Sequence, residues 1–554
     1  MYTSRRFVAL FLVLLAVSPV FTQPPNLTGY HNYIDLSKRL HDMREAYPDL
    51  IKLESLGKTL ESRDIWLVTL GNLSSENPAI ALVGGIEGDD VASSELCLRF
   101  IESAARAFNV VDSVRTILDR ITYYIIPRVN PDAAEQLWDF VAYDRLLNSR
   151  PVDLDFDGAV NEDGFDDLNG DGFITLMRVA DPAGEWIEDA QQPQLMRKAE
   201  PEKQKVGAFR LLSEGLDNDK DGFWNEDPVG GVNFNENFSF FYKPFTDGAG
   251  PHPISELETR AVADFFFAHE NITLVFGFSQ NENLYHPRDA AKESDMLPRK
   301  PITKVLPDDS PYYKYIADQF KEQTGFTNPP KAERESGAFT EWVYFHYGRW
   351  SFSAPAWYPP LVSEKEDSIK NAQDDPIAKK RRLYNWIEKE DVPYFVEWTK
   401  VDHPDFPDQT VEIGGFVPGV SKNPPVDSLD YFSEKFSAFF YQLANYLPKL
   451  TIHPKVESLS EQLFRITLTI KNSGYLPTSS ALGGKSKWVR KVKAELELPD
   501  QYKIVSGFRF YLLDPISDSA HEQTWLVMGK KNGRIKVVAE SPSVGRLEKD
   551  IILR

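Results

Sequence analysis

The sequence predicts an α/β domain, with a mostly parallel or mixed sheet flanked by helices, followed by an all-β sandwich domain. Two patterns support this prediction. Between residues 27 and 450, short continuous apolar segments alternate with helix-like segments, which is typical of strands buried on both faces. After Pro448, apolar and polar residues alternate strictly, as at 463–470, with no helix-length pattern between the strands. We therefore expect the first domain at 27–450 and the sandwich at 451–554.

The elements follow from local patterns. Apolar runs predict short buried strands in the first domain at 64–70, 79–86, 121–126 and 274–278. Apolar residues at a spacing of three to four predict helices at 91–108, 255–268 and 431–447. Two Pro-rich, charged stretches predict surface excursions at 300–331 and 363–380. Alternation predicts sandwich strands at 463–470, 492–498 and 535–537.

The charge balance narrows the class of partner. The chain of 554 residues has 62 Lys and Arg against 83 Asp and Glu, a formal net charge of −21. Nucleic-acid binding depends on Lys and Arg that neutralise phosphates, so we expect no nucleic-acid partner. An acidic surface suits a protein that binds cations.

The N-terminus predicts export. Arg5 and Arg6 precede the apolar stretch 7–17, which is too short to span a bilayer, and small residues stand before Gln23. We expect a signal peptide at 1–22 and a periplasmic, outer-surface or extracellular protein. No later stretch is long and apolar enough to span a membrane. Cys97 is the single cysteine, so the exported chain has no internal disulfide, and its position on the apolar side of a helix predicts a buried thiol.

Three acidic loops predict calcium binding. Oxygen donors at positions 1, 3 and 5, a Gly at 6 and a late acid form a calcium-loop pattern, and without a cation these carboxylates would repel one another. The predicted ligands are Asp153, Asp155, Asp157, Glu162, Asp167, Asn169, Asp171, Asp217, Asp219, Asp221 and Glu226. The middle loop lacks the late acid. Because no obvious helices flank the loops, we expect structural calcium within an insertion at about 150–230, the alternative being solvated acidic loops.

Five separated segments carry a family resemblance. They are 81-ALVGGIEGDDVASSELCL-98, 126-IPRVNPDAAE-135, 231-GVNFNENF-238, 249-AGPHPISELETRAVADF-265 and 336-SGAFTEWVYFHYGRWSFSAPAW-357. Together they resemble the zinc carboxypeptidases of peptidase family M14, and the acidic insertion and the C-terminal sandwich look like its exported bacterial members. The resemblance implies a carboxypeptidase-like fold and, in the family, a zinc cofactor held by two His and one Glu, a Glu general base and an Asn-Arg clamp for the substrate's carboxylate.

The residues at the corresponding positions differ from that machinery. The zinc positions hold Glu87, Asp90 and Ser279, or Phe278 in place of Ser279 if the alignment has no gap. The general base falls at Pro355, which has no titratable group. The family's Asn-Arg clamp falls at Asn235 and Glu236, and its mobile Tyr at Glu333. The second clamp Arg corresponds to Arg150.

Three hypotheses follow. The first is a catalytically inactive carboxypeptidase-like protein whose cleft binds a peptide or another partner. The second is an active metal-dependent carboxypeptidase or hydrolase, in which Glu87, Asp90 and Glu282 hold a hard cation, although such acids also serve as helix N-terminal charges. His286, the nearby histidine, is read as a surface or hydrogen-bonding residue. The third is a calcium-stiffened structural protein whose sandwich makes the contacts.

Overall fold

The computed structural model describes most of the chain. The described residues are 23–74, 77–153, 157–200, 206–296, 300–326, 328–330, 332–362, 377–486 and 488–554. The predicted signal peptide at 1–22 and Asp155 lie outside them. Among the described helices, none combines the length and the apolar character that crossing a membrane requires.

A six-stranded mixed sheet organises the first part of the chain. Its order is β1-β2-β4-β3-β9-β10, and β4, β3, β9 and β10 pair in parallel while β1 and β2 pair antiparallel. The strands are β1 (Ile51–Lys58), β2 (Asp64–Gly71), β3 (Ala79–Val83), β4 (Thr122–Ile126), β9 (Ile272–Phe278) and β10 (Trp350–Ala354). Strands β3, β4, β9 and β10 are buried along their whole length, which explains why they read as continuous apolar runs.

Helices cover both faces of this sheet. They are α1 (Tyr33–Ala46), α2 (Val91–Ala107), α3 (Asp112–Arg120), α4 (Pro131–Glu135), α5 (Leu257–Ala268), α6 (Ser310–Thr324), α7 (Phe339–Trp342), α8 (Ala378–Glu390) and α9 (Leu429–Tyr446). Aromatic side chains fill the interface on one face, where Phe276 of β9 contacts Phe440 of α9, with ring centroids 5.1 Å apart. Cys97 is fully buried in this core, as predicted.

A second, antiparallel sheet, which the sequence did not predict, carries the acidic insertion. Its order is β11-β12-β5-β8-β6-β7. The strands are β5 (Leu176–Ala180), β6 (Trp186–Glu188), β7 (Met196–Lys198), β8 (Phe209–Ser213), β11 (Phe395–Val401) and β12 (Val411–Phe416). Four of them, β5 to β8, are only three to five residues long, so their periodicity is weak in the sequence.

Two four-stranded antiparallel sheets form the C-terminal part, which confirms the predicted β-sandwich. Their orders are β13-β14-β18-β16 and β17-β15-β19-β20. The strands are β13 (Leu450–Ser458), β14 (Leu463–Asn472), β15 (Val492–Glu497), β16 (Lys503–Ser506), β17 (Phe510–Leu513), β18 (His521–Met528), β19 (Arg534–Ser541) and β20 (Gly545–Ile552), with one short helix, α10 (Ala481–Lys485). The alternating residues Phe464, Ile466, Leu468 and Ile470 all face the core.

One predicted loop is a helix. The stretch 300–331, predicted as a surface excursion, contains α6, whose Tyr313, Ile316 and Phe320 are buried in the main core. These residues recur at a spacing of three to four, which is typical of a helix. The flanking prolines and charges led instead to the prediction of a surface loop. Of the second predicted excursion, residues 363–376 lie outside the described part.

Candidate functional site

The site lies at the carboxyl edge of β3, where a tight loop leads into α2. A Cβ on Gly84 would lie 2.5 Å from the carbonyl oxygen of Pro127, and one on Gly88 would lie 2.4 Å from Cβ of Ala133. Glycine at both positions lets the loop pack directly against the segment after β4. This close packing carries Glu87 into the interior, where it is only 4% exposed.

Glu87 and Ser279, two of the positions that the sequence predicts to correspond to zinc ligands, bind each other directly. The Ser279 hydroxyl donates to Oε1 of Glu87 at 2.7 Å, and the backbone N–H of Gln280 donates to the same oxygen at 3.2 Å. Asn235 donates to it from Nδ2 at 3.3 Å. Oε2 of Glu87 is buried and has no hydrogen-bond partner. Burial raises the pKa of Glu87 to about 7, against the opposing effects of Lys422 and Ser279.

Asp90, the third predicted zinc position, is the N-cap of α2. Its carboxylate accepts from the backbone N–H of Ser93 at 3.0 Å, and the Ser93 hydroxyl donates back to the Asp90 carbonyl at 2.8 Å. Asn423 completes the cap, because its Oδ1 accepts from the N–H groups of Val91 and Ala92, both at 2.9 Å. Burial, and then the neighbouring Glu87, raise the pKa of Asp90 to about 8.

A lysine supplies the positive charge at this edge. Nζ of Lys422 lies 2.6 and 2.7 Å from the two carboxylate oxygens of Asp89, and both side chains are largely buried. Burial acts to lower the pKa of Lys422, but Asp89 and Glu87 outweigh it and raise the pKa. The charge that a metal ion would bring to these carboxylates is therefore supplied by the chain's own ammonium group.

These donors do not fit a zinc ion. Zinc sites in proteins use imidazole nitrogen and thiolate sulfur, with at most one or two carboxylates. The three positions here offer two carboxylates and a hydroxyl. The carboxylate of Glu87 is hydrogen-bonded to Ser279, and Asp90 is committed to the helix cap. Among the described residues, the one group of three acids, histidines or cysteines close enough to share a metal is Asp217, Asp219 and Asp221.

Glu282 and His286 form a separate local pair. Nδ1 of His286 lies 2.5 Å from Oε1 of Glu282, and Oε2 of Glu282 accepts from the backbone N–H of Tyr285 at 2.7 Å. Glu282 thus stabilises the turn that follows β9. His286 is the hydrogen-bonding residue that the sequence indicated.

Pro355 stands directly after β10, next to Ser279. The backbone N–H of Ser279 donates to the carbonyl of Ala354 at 3.1 Å, so the family's general-base position adjoins the substituted zinc positions. Pro355 lines a pocket of about 540 Å³, and the rings of Phe326, Trp357 and Tyr431 also line it. A proline at this position offers no group that takes a proton from water.

The substrate-clamp positions are engaged with other partners. Asn235 is fully buried and donates to Glu87 and to Glu335. Glu236 accepts from Nδ2 of Asn233 at 3.0 Å, within its own turn. Arg150 forms an ion pair with Glu256, whose Oε1 lies 3.1 Å from Nη1 of Arg150.

Glu335 makes the cleft more acidic than the substituted positions alone. Burial, and then Glu87, Glu333 and Glu236, raise the pKa of Glu335 to about 8. Glu333 itself is paired with Lys379 at 2.6 Å. Glu335 and Glu87 accept hydrogen bonds from neutral donors only, among the residues that the structure describes.

The three acidic loops share one backbone geometry. In each, the first carboxylate accepts from the N–H of the glycine at position 6, at 3.1 Å for Asp153, 2.8 Å for Asp167 and 3.1 Å for Asp217. In each, the carboxylate at position 5 accepts from the N–H two residues later: Asp157, Asp171 and Asp221, at 2.6, 2.9 and 2.7 Å. The glycines at position 6 have positive φ, which only glycine adopts at little cost.

The loops also contact one another through acids that the sequence did not connect. Asp163 accepts from the N–H groups of Asn218 and Asn225, at 3.0 and 2.5 Å, and so ties the first loop to the third. Glu226 lies beside Asp163, and burial and this neighbour raise its pKa to about 7. In the middle loop, which lacks a late acid, Glu214 accepts from the N–H of Leu168 at 2.9 Å. Several loop oxygens are buried without a hydrogen-bond partner: Asp153 Oδ1, Asn161 Oδ1, Asn225 Oδ1 and Glu226 Oε2.

Comparison with known families agrees with this architecture. The model of the family described as zinc carboxypeptidase, peptidase M14, matches residues 36–355, more than half of the chain. The chain therefore belongs to the zinc carboxypeptidase family M14, and zinc is the cofactor expected from the family. A second model, described as a domain of unknown function (DUF8731), matches residues 449–552, the part that forms the two four-stranded sheets.

The individual relatives match over short regions. The zinc carboxypeptidase of Saccharothrix mutabilis subsp. capreolus is 28% identical over 115 residues, which are 20% of this chain and 26% of that protein. Carboxypeptidase D of Homo sapiens is 32% identical over 141 residues, 24% of this chain and 10% of that protein. The matched regions thus span about a quarter or less of these relatives' own length.

Solved carboxypeptidase structures are distant. Thrombin activatable fibrinolysis inhibitor aligns over 75% of this chain and 73% of its own, with 12% identity and a TM-score of 0.41. The metallo-carboxypeptidase from Burkholderia cenocepacia aligns over 58% and 59%, with 13% identity and a TM-score of 0.31.

Removing the ammonium group should destabilise the fold. In Lys422→Met, Asp89 stays buried without its partner, and we expect the free energy of unfolding to fall by about 3–5 kcal/mol. Urea denaturation followed by circular dichroism measures this change. Lys449→Met, which removes the same charge from an exposed position, should stay within about 0.5 kcal/mol of the wild type. Equal stability of Lys422→Met and the wild type would contradict the assigned role.

The pH dependence of stability should report Glu335. Its pKa in the folded chain is about 8, above the ordinary 4.5, so the unfolded state loses its proton first as the pH rises. The melting temperature of the wild type, relative to that of Glu335→Gln, should therefore fall between about pH 5 and pH 8 and then level off. A difference that stays flat or rises over this interval would show that Glu335 is not held in its protonated form.

Proposed function

We propose that this member of the zinc carboxypeptidase family is an exported, catalytically inactive protein whose cleft binds a peptide or another partner. The hydrogen bond between Ser279 and Glu87 carries the proposal most directly, because it engages the side chains at two of the predicted zinc positions with each other. The proline at the general-base position adds a second, independent loss. The N-terminal signal-peptide pattern supports export to the periplasm, the outer surface or the medium.

The charge of the cleft supports binding rather than turnover of ordinary carboxypeptidase substrates. A carboxypeptidase must grip the terminal carboxylate of its substrate, which requires a cation. Here Glu236 takes the clamp position, and Glu335 adds a further acid. A free carboxylate brought to this cleft meets acidic side chains in place of the clamp's cation, which disfavours its binding.

An active hydrolase with a rebuilt metal site is the alternative. The unpartnered Oε2 of Glu87 and the nearby Asp90 are the features that favour it. Against it, Glu282 is held by the turn and His286, and Lys422 already supplies a positive charge.

Peptidase assays distinguish these two functions. We expect no release of C-terminal residues from free-acid peptides with aromatic, aliphatic or basic ends, with zinc, manganese or calcium added. None of four single variants should gain activity: Glu87→His, Asp90→Glu, Ser279→His and Pro355→Glu. Each restores one zinc ligand or the general base, whereas hydrolysis needs all three ligands and the base together. Metal-dependent turnover by the wild type, or rescue by one substitution, would contradict the proposal.

We further propose that calcium holds the acidic insertion in shape. The shared loop geometry, the clustered carboxylates of Asp217, Asp219 and Asp221, and the buried loop oxygens without donors support this role. An all-oxygen donor set with several carboxylates suits a hard cation such as calcium.

Thermal melting with and without calcium tests this role. Calcium should raise the melting temperature over that in chelator, because binding at one hundred times the dissociation constant contributes about 2.7 kcal/mol. Asp219→Asn should lose much of this rise, whereas Asp500→Asn, the same change at an exposed position in the sandwich, should keep it. No calcium-dependent shift in the wild type would overturn the proposal.

A further inference from the structure

The third acidic loop is closed by an acid that belongs to the first loop. Asp163, at position 11 of the first loop when Asp153 is position 1, is fully buried. Its two carboxylate oxygens accept from the backbone N–H groups of Asn218 and Asn225, at 3.0 and 2.5 Å. These donors are at positions 2 and 9 of the third loop, which begins at Asp217. One side chain of the first loop therefore joins the two sides of the third loop.

The middle loop, which begins at Asp167, is closed in the same way. Glu214, which is fully buried and lies outside this loop, accepts from the N–H of Leu168 at 2.9 Å and from that of Thr175 at 3.1 Å. These donors are again at positions 2 and 9 of their loop. A buried acid from outside the loop that joins positions 2 and 9 is therefore a feature that two of the loops share.

Asp163 also lies beside a predicted calcium ligand of the third loop. This ligand is Glu226, at position 10 of that loop. Asp163 and Asp227, each at position 11 of its loop, form an antiparallel β-bridge. The negative charges of Asp163 and Glu226 repel one another unless a cation or a proton lies close to them. A calcium ion in the third loop would reduce this repulsion and so stabilise the position of Asp163.

Buried side-chain oxygens without donors indicate that the loops accept a cation. Asn161 and Asn225 hold position 9 of the first and third loops, and both have a left-handed backbone, with φ of 56° and 58°. Oδ1 of each is buried and has no hydrogen-bond partner among the described residues, and Asn225 is only 8% exposed. Position 9 is a ligand position in calcium loops, directly or through water. A buried amide oxygen without a donor costs free energy that a bound cation or its water would offset.

We infer that the first and third loops bind calcium cooperatively, with Asp163 as the positioning residue that couples them. Calcium in the third loop fixes the backbone at positions 2 and 9, so the two hydrogen bonds of Asp163 form at a smaller cost in conformational entropy and order the end of the first loop. Because coupling between binding sites is reciprocal, calcium in the first loop strengthens binding in the third loop by the same factor. This inference rests on the proposed calcium role and adds the dependence of one loop on the other.

Calcium titration of the full mature chain, in competition with a chromophoric chelator, tests the inference. Asp221→Asn removes a predicted ligand at an exposed position of the third loop. We expect this variant to bind its remaining calcium at least about fivefold more weakly than the wild type does, which is the lower end of typical coupling between sites. Asp408→Asn, the same change at an exposed position between β11 and β12, should keep the wild-type binding constants. Wild-type constants at the remaining sites of Asp221→Asn would overturn the inference.

Asp163→Asn tests the coupling residue itself. Asparagine has nearly the size of aspartate but only one acceptor oxygen, so one of the two hydrogen bonds to the third loop is lost. Introduced into this background, Asp221→Asn should weaken the remaining calcium by no more than about twofold. A fivefold weakening that persists in the Asp163→Asn background would show that Asp163 does not couple the loops. Melting in chelator checks that the variants fold, and the comparison of Asp221→Asn with the wild type does not depend on the Asp163 variant.

The same titration separates this inference from the proposed calcium role. No calcium binding by the wild type would refute the calcium role and the coupling together. Calcium binding whose constants at the remaining sites are the same in Asp221→Asn and the wild type would refute the coupling and leave the calcium role standing.

Discussion

The burial of three carboxylates at the end of β3 is the constraint on which the rest of the site depends. Glu87, Asp89 and Asp90 are each at most 4% exposed, and buried acids of like charge require a compensating cation or a proton. Both kinds of compensation are found here. Lys422 pairs with Asp89, and the pKa values of Glu87 and Asp90 are raised to about 7 and about 8. The chain's own side chains thereby compensate the buried negative charge at this junction.

This compensation has consequences across the cleft. Lys422 and Asn423 are neighbours in the chain, and they bind Asp89 and the first N–H groups of α2, respectively. Together with Asp90, the N-cap of α2, they hold the junction between β3 and α2. Among the described residues, Glu87 and Glu335 accept hydrogen bonds from neutral donors, and both contact Asn235. Under the proposed function, the same substitutions would remove both the zinc ligands and the positive charge of the predicted carboxylate clamp.

The sequence predicted the buried strands and the sandwich because their periodicity is strong and local. The substituted positions remain predictions, which rest on the recognisable motifs in which they lie. The sequence did not predict Lys422, which reaches Asp89 across 333 residues of chain and belongs to no motif. Glu335 and Glu214 were missed for the same reason, because their roles depend on tertiary contacts. The helix α6 was missed because prolines and charges around it masked three buried residues at helical spacing.

Zinc content tests the central claim most directly. The purified mature chain is dialysed against excess zinc and calcium, then against metal-free buffer, and analysed by inductively coupled plasma mass spectrometry. Because Ser279 binds Glu87, Asp90 caps α2 and Lys422 pairs with Asp89, the account predicts essentially no retained zinc. About one tightly held zinc ion per chain would contradict it, since a zinc site would then exist that these residues do not form.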